Sequence, residues 1–392
     1  MDIKNLSEQV YGEMVEWRRK LHRHPELSFQ EYETSEFIKQ KLLEFGIDQV
    51  ESMCGTAVVG VLNGKKGAGK CMAIRADIDA LPVKEETGYE FASEKEGFMH
   101  ACGHDGHTAI LLATAKILSE HREEFCGSIK FIFEHGEEKF PGGAKALVEA
   151  GVMENPHVDA IIGLHIVPSE ESGKIRIKSG AAAIGCDVVN VSVHGKSGHA
   201  GRPQDSHDAL LAACQYVVAI QQIVSRNINP KDTEIISVGT LHAGTAVNII
   251  AGHAELSMNA RSYDLKSRDI TKKKLYDIAD GIGTITDCTF ELEYVDGYEP
   301  IINDPQIVDL VVSACRKQLG SECVEIGDFD LGSDDFSYYM NAGNTPGAYF
   351  FLLSGHDGET CFVNHHPCFT WKEEAMKTGV EAYLSVLMEY LR

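Results

Sequence analysis

The sequence predicts an α/β protein: a larger domain built on a mixed, mostly parallel sheet flanked by helices, interrupted by a smaller α+β domain. Three observations carry this expectation. Apolar runs of strand length alternate with helical patterns in the first third. The middle third changes to a β-α-β-β-α-β rhythm, and the last third returns to long helices.

Val10, Met14, Trp17 and Leu21 recur at helical spacing and the pattern stops before Pro25, so the chain should open with an amphipathic helix. Thr34 to Phe45 reads as a second helix, closed by Gly46, which tolerates a left-handed conformation. "TAVVGVL" and "CMAIRAD" read as strands joined by a hairpin turn, "NGKKGAGK". "TAILLATAKILSE" predicts an apolar helix, and "SIKFIFE" and "DAIIGLHIV" predict buried strands of a sheet covered on both faces. In the middle third, "DVVNVSVHG", "EIISVGTLHA", "HAELSMNARS" and "CTFELEYV" read as strands, with helices over 205–226 and 266–283. That order is the ferredoxin-like split unit, which folds as its own layer. The larger domain is therefore expected over 1–185 and 299–392, where "PQIVDLVVSACRKQL" and "KEEAMKTGVEAYLSVLMEYLR" are helical, and the inserted domain over 186–298.

Lys and Arg number 36 against 59 Asp and Glu, a formal net charge of -23, which repels nucleic acid and acidic membrane surfaces and favours a small-molecule partner. The amino terminus lacks a secretory signal and no apolar run approaches the roughly 18 to 20 residues of a membrane span, so a soluble, cytoplasmic protein is expected. Eleven cysteines, spread from Cys54 to Cys368 without a repeated spacing, read as reduced thiols.

"GKKGAGKC" nearly spells a phosphate-binding loop, but Cys71 replaces the hydroxyl and a strand follows where a helix is required. The densest group of ligand-type side chains is "MHACGHDGH", residues 99–107. On an extended segment His100, Cys102 and His104 project to one side, with Asp105 as the N-cap of the following helix. Thiolate plus imidazole suits a first-row divalent ion; a buried cysteine beside helix-start histidines accounts for the same residues. "EHGEE" ends an apolar strand, where active-site groups gather in open α/β sheets, so Glu138 could ligate a metal while Glu137 acts as general base; a solvated acidic turn is the alternative. His165 inside "IIGLHIVP", His365 and His366 in "NHHPCF", and His199 among the glycines of "GKSGHAGRP" each have an ordinary structural explanation in isolation.

Taken together and in order, "LHRHPELSFQE", "RADIDALP", "MHACGHDGHTAILL", "GEEKFPGGAKALVEAG", "GLHIVP", "GHAGRP", "GTAVNIIAG", "RSYD", "GSDDFSYY" and "HHPCF" resemble the M20 metallopeptidase superfamily over nearly the whole chain. The similarity is to its branch of aminoacylases, hippurate hydrolase and auxin-conjugate amidohydrolases. It implies a metal-dependent amidohydrolase that cleaves N-acyl amino acids to a carboxylic acid and a free amino acid; a dipeptidase or N-acetyl-diaminopimelate deacetylase is the runner-up, and a non-catalytic binding protein the rival. By position, the resemblance implies that Cys102, His104, Glu138, His165 and His365 hold two divalent ions, manganese or zinc first, then cobalt or nickel. His365 is preferred to His366 because the family motif is His-x-Pro. Glu137 corresponds to the general base, Asp77 or Asp79 to the supporting acid, and His199, Asn248 and Arg261 to substrate-binding residues, His199 also catalytic, of a lid and dimerisation domain. A homodimer or higher homo-oligomer through that domain is implied. Two departures stand out: "HGEE" replaces the Pro-Ala that precedes the glutamates in many relatives, and a cysteine stands where the wider superfamily bridges its metals with a carboxylate.

Overall fold

The opening helix runs Ile3–Arg23 because Val10, Met14, Trp17 and Leu21 all fall on its buried face. Asp2 caps it by accepting from the Asn5 amide, and Lys20, His22 and Arg23 place positive charge at its carboxyl end. It ends before Pro25, whose ring disfavours a helical residue ahead of it. The computed structural model describes residues 1–328 and 332–392, and the chain divides into two compact units. The first contains Met1–Ala182 and the bulk of the chain after residue 301; the second contains Ala183–Ile301.

The first unit is built on an eight-stranded mixed sheet in the order Gln49–Met53, Ala57–Asn63, Ser128–Glu134, Cys71–Asp77, Ala160–Val167, Gly347–Ser354, Ser172–Ile177, Val324–Ile326. The four central strands, from Ser128–Glu134 to Gly347–Ser354, run parallel to one another. Every residue of Cys71–Asp77 and Ser128–Glu134 is buried, as a parallel sheet covered on both faces requires. Helices Ile3–Arg23, His104–Glu120 and Ala375–Tyr390 pack on one another, and their apolar faces join Ile74, Phe131, Ile162 and Phe350 in one core.

The hairpin expected between Ala57–Asn63 and Cys71–Asp77 does not form. Ser128–Glu134 lies between them, antiparallel to the first and parallel to the second. The glycines of "NGKKGAGK" serve a different purpose: the Gly64 amide donates to the Gly127 carbonyl, the Gly127 amide donates to Gly67, and a Cβ on Gly69 would lie 2.9 Å from the Gly127 nitrogen. The loop needs glycine because the incoming backbone of the inserted strand passes directly against it.

The second unit carries a four-stranded antiparallel sheet in the order Glu234–Ala243, His253–Ser262, Gly185–His194, Thr289–Tyr298. Helices Ala209–Gln222 and Leu265–Thr286 are its two crossovers, so the element order is the expected β-α-β-β-α-β. Asp187 is the polar anchor of this unit: it accepts two hydrogen bonds from Arg268, one from the Tyr294 hydroxyl and one from the Gly297 amide. Against the expectation that no run approaches span length, Ala209–Asn227 is long and apolar enough, by length and composition, to cross a membrane. The apolarity has a local reason, because Ala209, Ala212, Ala213, Tyr216, Ile220 and Ile223 are buried in the unit's own core.

Candidate metal centre and active site

The carboxyl ends of the central strands supply the site. Arg75, on the strand Cys71–Asp77, is fully buried and donates to Asp77 (2.5 Å), Glu134 (2.6 Å) and Asp335 (3.1 Å). One guanidinium thus joins the ends of two adjacent strands. Two residues past the strand, Asp79 is the hub of the next layer. Its Oδ1 and carbonyl lie 3.1 and 2.9 Å from His104 Nδ1, and its Oδ2 accepts from the Ser28 hydroxyl (2.6 Å) and the Glu138 amide (3.0 Å). Because His104 Nδ1 faces two acceptors it carries a proton, which leaves Nε2 as the nitrogen that can meet a cation.

The segment before His104 turns at Gly103, whose φ of +96° makes it the N-cap of the helix His104–Glu120. Asp105 is therefore not the cap: it lies inside the first turn, buried, and accepts from Arg18 and His22 (both 2.8 Å). This turn also breaks the expected alternation. Cys102 and His104 face the cluster, whereas His100 lies against His22, with neither ring nitrogen hydrogen-bonded among the described residues. His107 bridges Asp77 (2.5 Å) and the Ile166 amide (2.8 Å).

His165 is buried on the strand Ala160–Val167; its Nδ1 lies 2.8 Å from the Ile166 carbonyl, so Nε2 is unprotonated and stands 3.4 Å from Cys102 Sγ. Glu138 Oε1 is 3.2 Å from His365 Nε2 and 3.8 Å from His104 Nε2. His365 has a left-handed backbone, with φ of +71°, and its amide donates to the Ala101 carbonyl. Its neighbour His366 points elsewhere, stacked on Phe362 and accepting from the Cys368 amide. Ligand-type atoms of Cys102, His104 and His165, of Cys102, Glu138 and His365, and of His104, Glu137 and Glu138 lie within 4.8 Å of one another in each set. The sets share Cys102, His104 and Glu138, so all six residues form one continuous cluster.

These residues fit divalent metal. Among the described residues His104 Nε2 and Glu138 Oε1 are buried without a well-aligned hydrogen bond, and both face the cluster. A buried acceptor of this kind is costly unless a cation or proton satisfies it. Electrostatics agree. Burial, then the carboxylates of Glu138, Glu137 and Asp77, push the Cys102 thiol well above its ordinary value. A thiolate there requires a cation to offset that field. Burial opposes charge on His104, but Asp77, Asp79 and Glu138 outweigh it and raise the imidazole to about 10, so Nε2 holds a proton until a divalent cation takes its place. Burial also opposes charge on Asp77, yet His104, His107 and Arg75 hold it well below the usual carboxylate range.

The substrate candidates belong to the second unit. His199 lies in a two-residue strand paired with Ile249–Ile250, is exposed, and accepts from the Gly201 amide; the Ala200 amide donates to the Asn248 carbonyl, which ties these two candidates together. Arg261 stands on the strand His253–Ser262 and donates to Asn259. Arg75 and Ser28 stand within the motifs, and the sequence alone assigns neither a role, whereas His107 is expected to support the site from the helix start, as it does through Asp77. An arginine in the middle of a fully apolar strand is the signal that would have found Arg75, since a buried guanidinium needs buried acids.

A model of Peptidase family M20/M25/M40 matches residues 73–389. The chain is 42% identical over 321 residues to an N-acyl-L-amino acid amidohydrolase of Geobacillus stearothermophilus, covering 81% of this chain and 86% of that protein. It is 34% identical over 385 residues to hippurate hydrolase of Campylobacter jejuni, covering 98% of each. Among solved structures, a dinuclear metal binding peptidase of the M20 family from Bacillus subtilis aligns with a TM-score of 0.84 at 30% identity, covering 98% of this chain and 99% of that one. Cluster and relatives together define a class, the metal-dependent amidohydrolases. The chain belongs to peptidase family M20/M25/M40.

Proposed function

We propose that this chain hydrolyses the amide bond of N-acyl amino acids, with Cys102, His104, Glu138, His165 and His365 holding two divalent metal ions and Glu137 acting as general base. The observation that carries the reading is the continuous cluster of these six side chains, in which His104 Nε2 and Glu138 Oε1 are buried and face a common centre. Relatives that act on N-acyl amino acids and hippurate support the substrate class.

Held by Cys102, His104, Glu138, His165 and His365, two divalent ions would supply Lewis acidity to a carbonyl and lower the pKa of water towards neutrality. The chain's own residues do the rest. Glu137, buried beside His104 and Glu138, takes a proton from the attacking water and passes it to the leaving nitrogen, so the amide becomes a carboxylic acid and a free amine. Asp79 holds His104 in the tautomer that presents Nε2. Asp77 braces the layer beneath through Arg75 and His107. His199 and Asn248 are assigned to the reacting carbonyl, where one well-placed donor contributes about 3 kcal/mol. Arg261 is assigned to the substrate carboxylate, whose geometry its planar fork matches.

The second unit is read as a ferredoxin-like lid and dimerisation domain, inserted over 186–298 between the 1–185 and 299–392 parts of the metal-binding domain. Its element order and the exposed Leu211 and Val218 support a homodimer surface. Eleven cysteines without a disulfide support a reducing, cytoplasmic setting, and manganese or zinc is the expected metal.

Metal analysis combined with a panel of N-acetyl, N-benzoyl and indole-acyl amino acids and dipeptides tests the reading. Glu137→Gln should bind metal yet lose nearly all turnover. Retention of more than about a tenth of wild-type activity removes Glu137 as the base, and preference for dipeptides replaces the acyl-amino-acid reading with a peptidase.

A further inference from the structure

The geometry points to Glu31 as a positioning residue that aims the Glu137–Glu138 turn, through a clamp made with Phe29 and Thr56. Glu31 sits at the N-cap of the helix Tyr32–Glu44, where an acidic side chain ordinarily accepts from the helix's own first amides. It makes no such bond. Glu26 does that work instead, accepting from the Thr34 amide at 2.9 Å. Glu31, fully buried, turns away from its helix: Oε1 accepts from the Gly136 amide and the Phe29 amide, both at 2.8 Å, and Oε2 accepts from the Thr56 hydroxyl at 2.6 Å.

Gly136 immediately precedes Glu137, so this carboxylate fixes the backbone from which the base projects. The turn is pressed from the other side as well. Gly136 has φ of +68°, and a Cβ there would meet the Phe29 ring at 2.4 Å. Phe29 itself has φ of +65°, a conformation that costs a non-glycine residue energy and is held here by the Glu31 bond. Thr56 closes the clamp: its amide lies 3.3 Å from His135 Nδ1, one residue before Gly136. Glu138 is held separately, by Asp79. The clamp therefore governs Glu137 more than the metal ligands.

This inference rests on the assignment of Glu137 as base, and its test separates the two. In the metal-loaded full chain, Glu31→Ala should lower kcat roughly 10- to 100-fold, the scale of a misplaced catalytic group, with KM changed less than about threefold and metal content unaltered. Glu31→Gln should recover most of that loss. Its amide oxygen can accept from Phe29 and Gly136 while its NH2 donates to Thr56, whose hydroxyl then turns to His135. A merely structural role would lower thermal stability and leave kcat per folded molecule intact. The inference is overturned if Glu31→Ala keeps more than half of kcat, if the loss lies in KM, or if Glu31→Gln is as impaired as Glu31→Ala. Should Glu31→Ala not fold, Thr56→Val decides: a kcat loss of threefold or more with metal retained supports the clamp, and an unchanged kcat overturns it. An inactive Glu137→Gln beside a wild-type-like Glu31→Ala removes only the clamp; an active Glu137→Gln removes both.

Discussion

Replacing Arg75 by Met removes a buried cation and leaves three buried carboxyl groups, Asp77, Glu134 and Asp335, that had shared it. A hydrogen bond to a charged group contributes roughly 1.5–3 kcal/mol, so three taken singly would total about 4.5–9 kcal/mol. That sum overstates the effect, because the bonds share one donor group and orphaned carboxyls can take up protons. Loss of one partner from a buried ion pair, about 3–5 kcal/mol, is the better guide. Protonation also sets the sign with pH. In the wild type Asp77 is held well below its ordinary value, so its stabilisation is present above the unfolded carboxylate pKa of about 4 and is lost as pH falls. In Arg75→Met the buried site loses its cation while burial penalises negative charge, so the variant's deficit grows as pH rises. The assay is denaturant unfolding followed by tryptophan emission at pH 5.5 and 8.0. Both tryptophans, Trp17 and Trp371, lie in the core of the first unit, so the signal reports that unit alone. A loss of about 3–5 kcal/mol at pH 8.0 and a smaller one at pH 5.5 is expected. A loss under about 1 kcal/mol at pH 8.0, or a larger loss at the lower pH, refutes the reasoning.

Two further outcomes test other parts of the molecule. Burial raises the Glu234 carboxyl to about 7, so the unfolded chain releases this proton first and the second unit loses stability as pH climbs from about 4.5 to 7. Glu234→Gln should therefore stabilise that unit by about 1–2 kcal/mol at pH 8 and leave it unchanged at pH 4, measured by hydrogen exchange of its sheet amides; no gain at pH 8 contradicts the assignment. Gly106 lies in the first turn of the helix that carries His104, and a Cβ there would come within 2.6 Å of Ile166 and Trp371. Gly106→Ala should cost about 1–3 kcal/mol through overpacking and weaken metal affinity by displacing His104; unaltered melting temperature and metal titration would show that the contact gives way freely.

Much of the fold was legible along the chain, and the exceptions are instructive. The helix Ile3–Arg23 and the strand Cys71–Asp77 follow from periodicity, because burial repeats with the geometry of the element. The partner of Ala57–Asn63 does not follow: a glycine-rich connection of hairpin composition instead makes room for Ser128–Glu134, a strand from much later in the chain. The N-cap at Gly103 was missed for a related reason. Asp105 has the right chemistry for a cap, but its carboxylate is taken by Arg18 and His22 from another helix.

By itself, then, the sequence determined the two-part α/β plan and the residue types able to hold metal, since periodicity and side-chain chemistry are local properties. Only the tertiary structure decided which atoms meet. It turned His100 towards His22 and His104 towards the cluster, brought His365, already preferred by the motif, against Glu138, and set Glu31 to hold Gly136 rather than its own helix. Each of these depends on a contact between segments distant in the chain. A carboxylate or imidazole offers the same chemistry to any partner, and only packing fixes which partner it has.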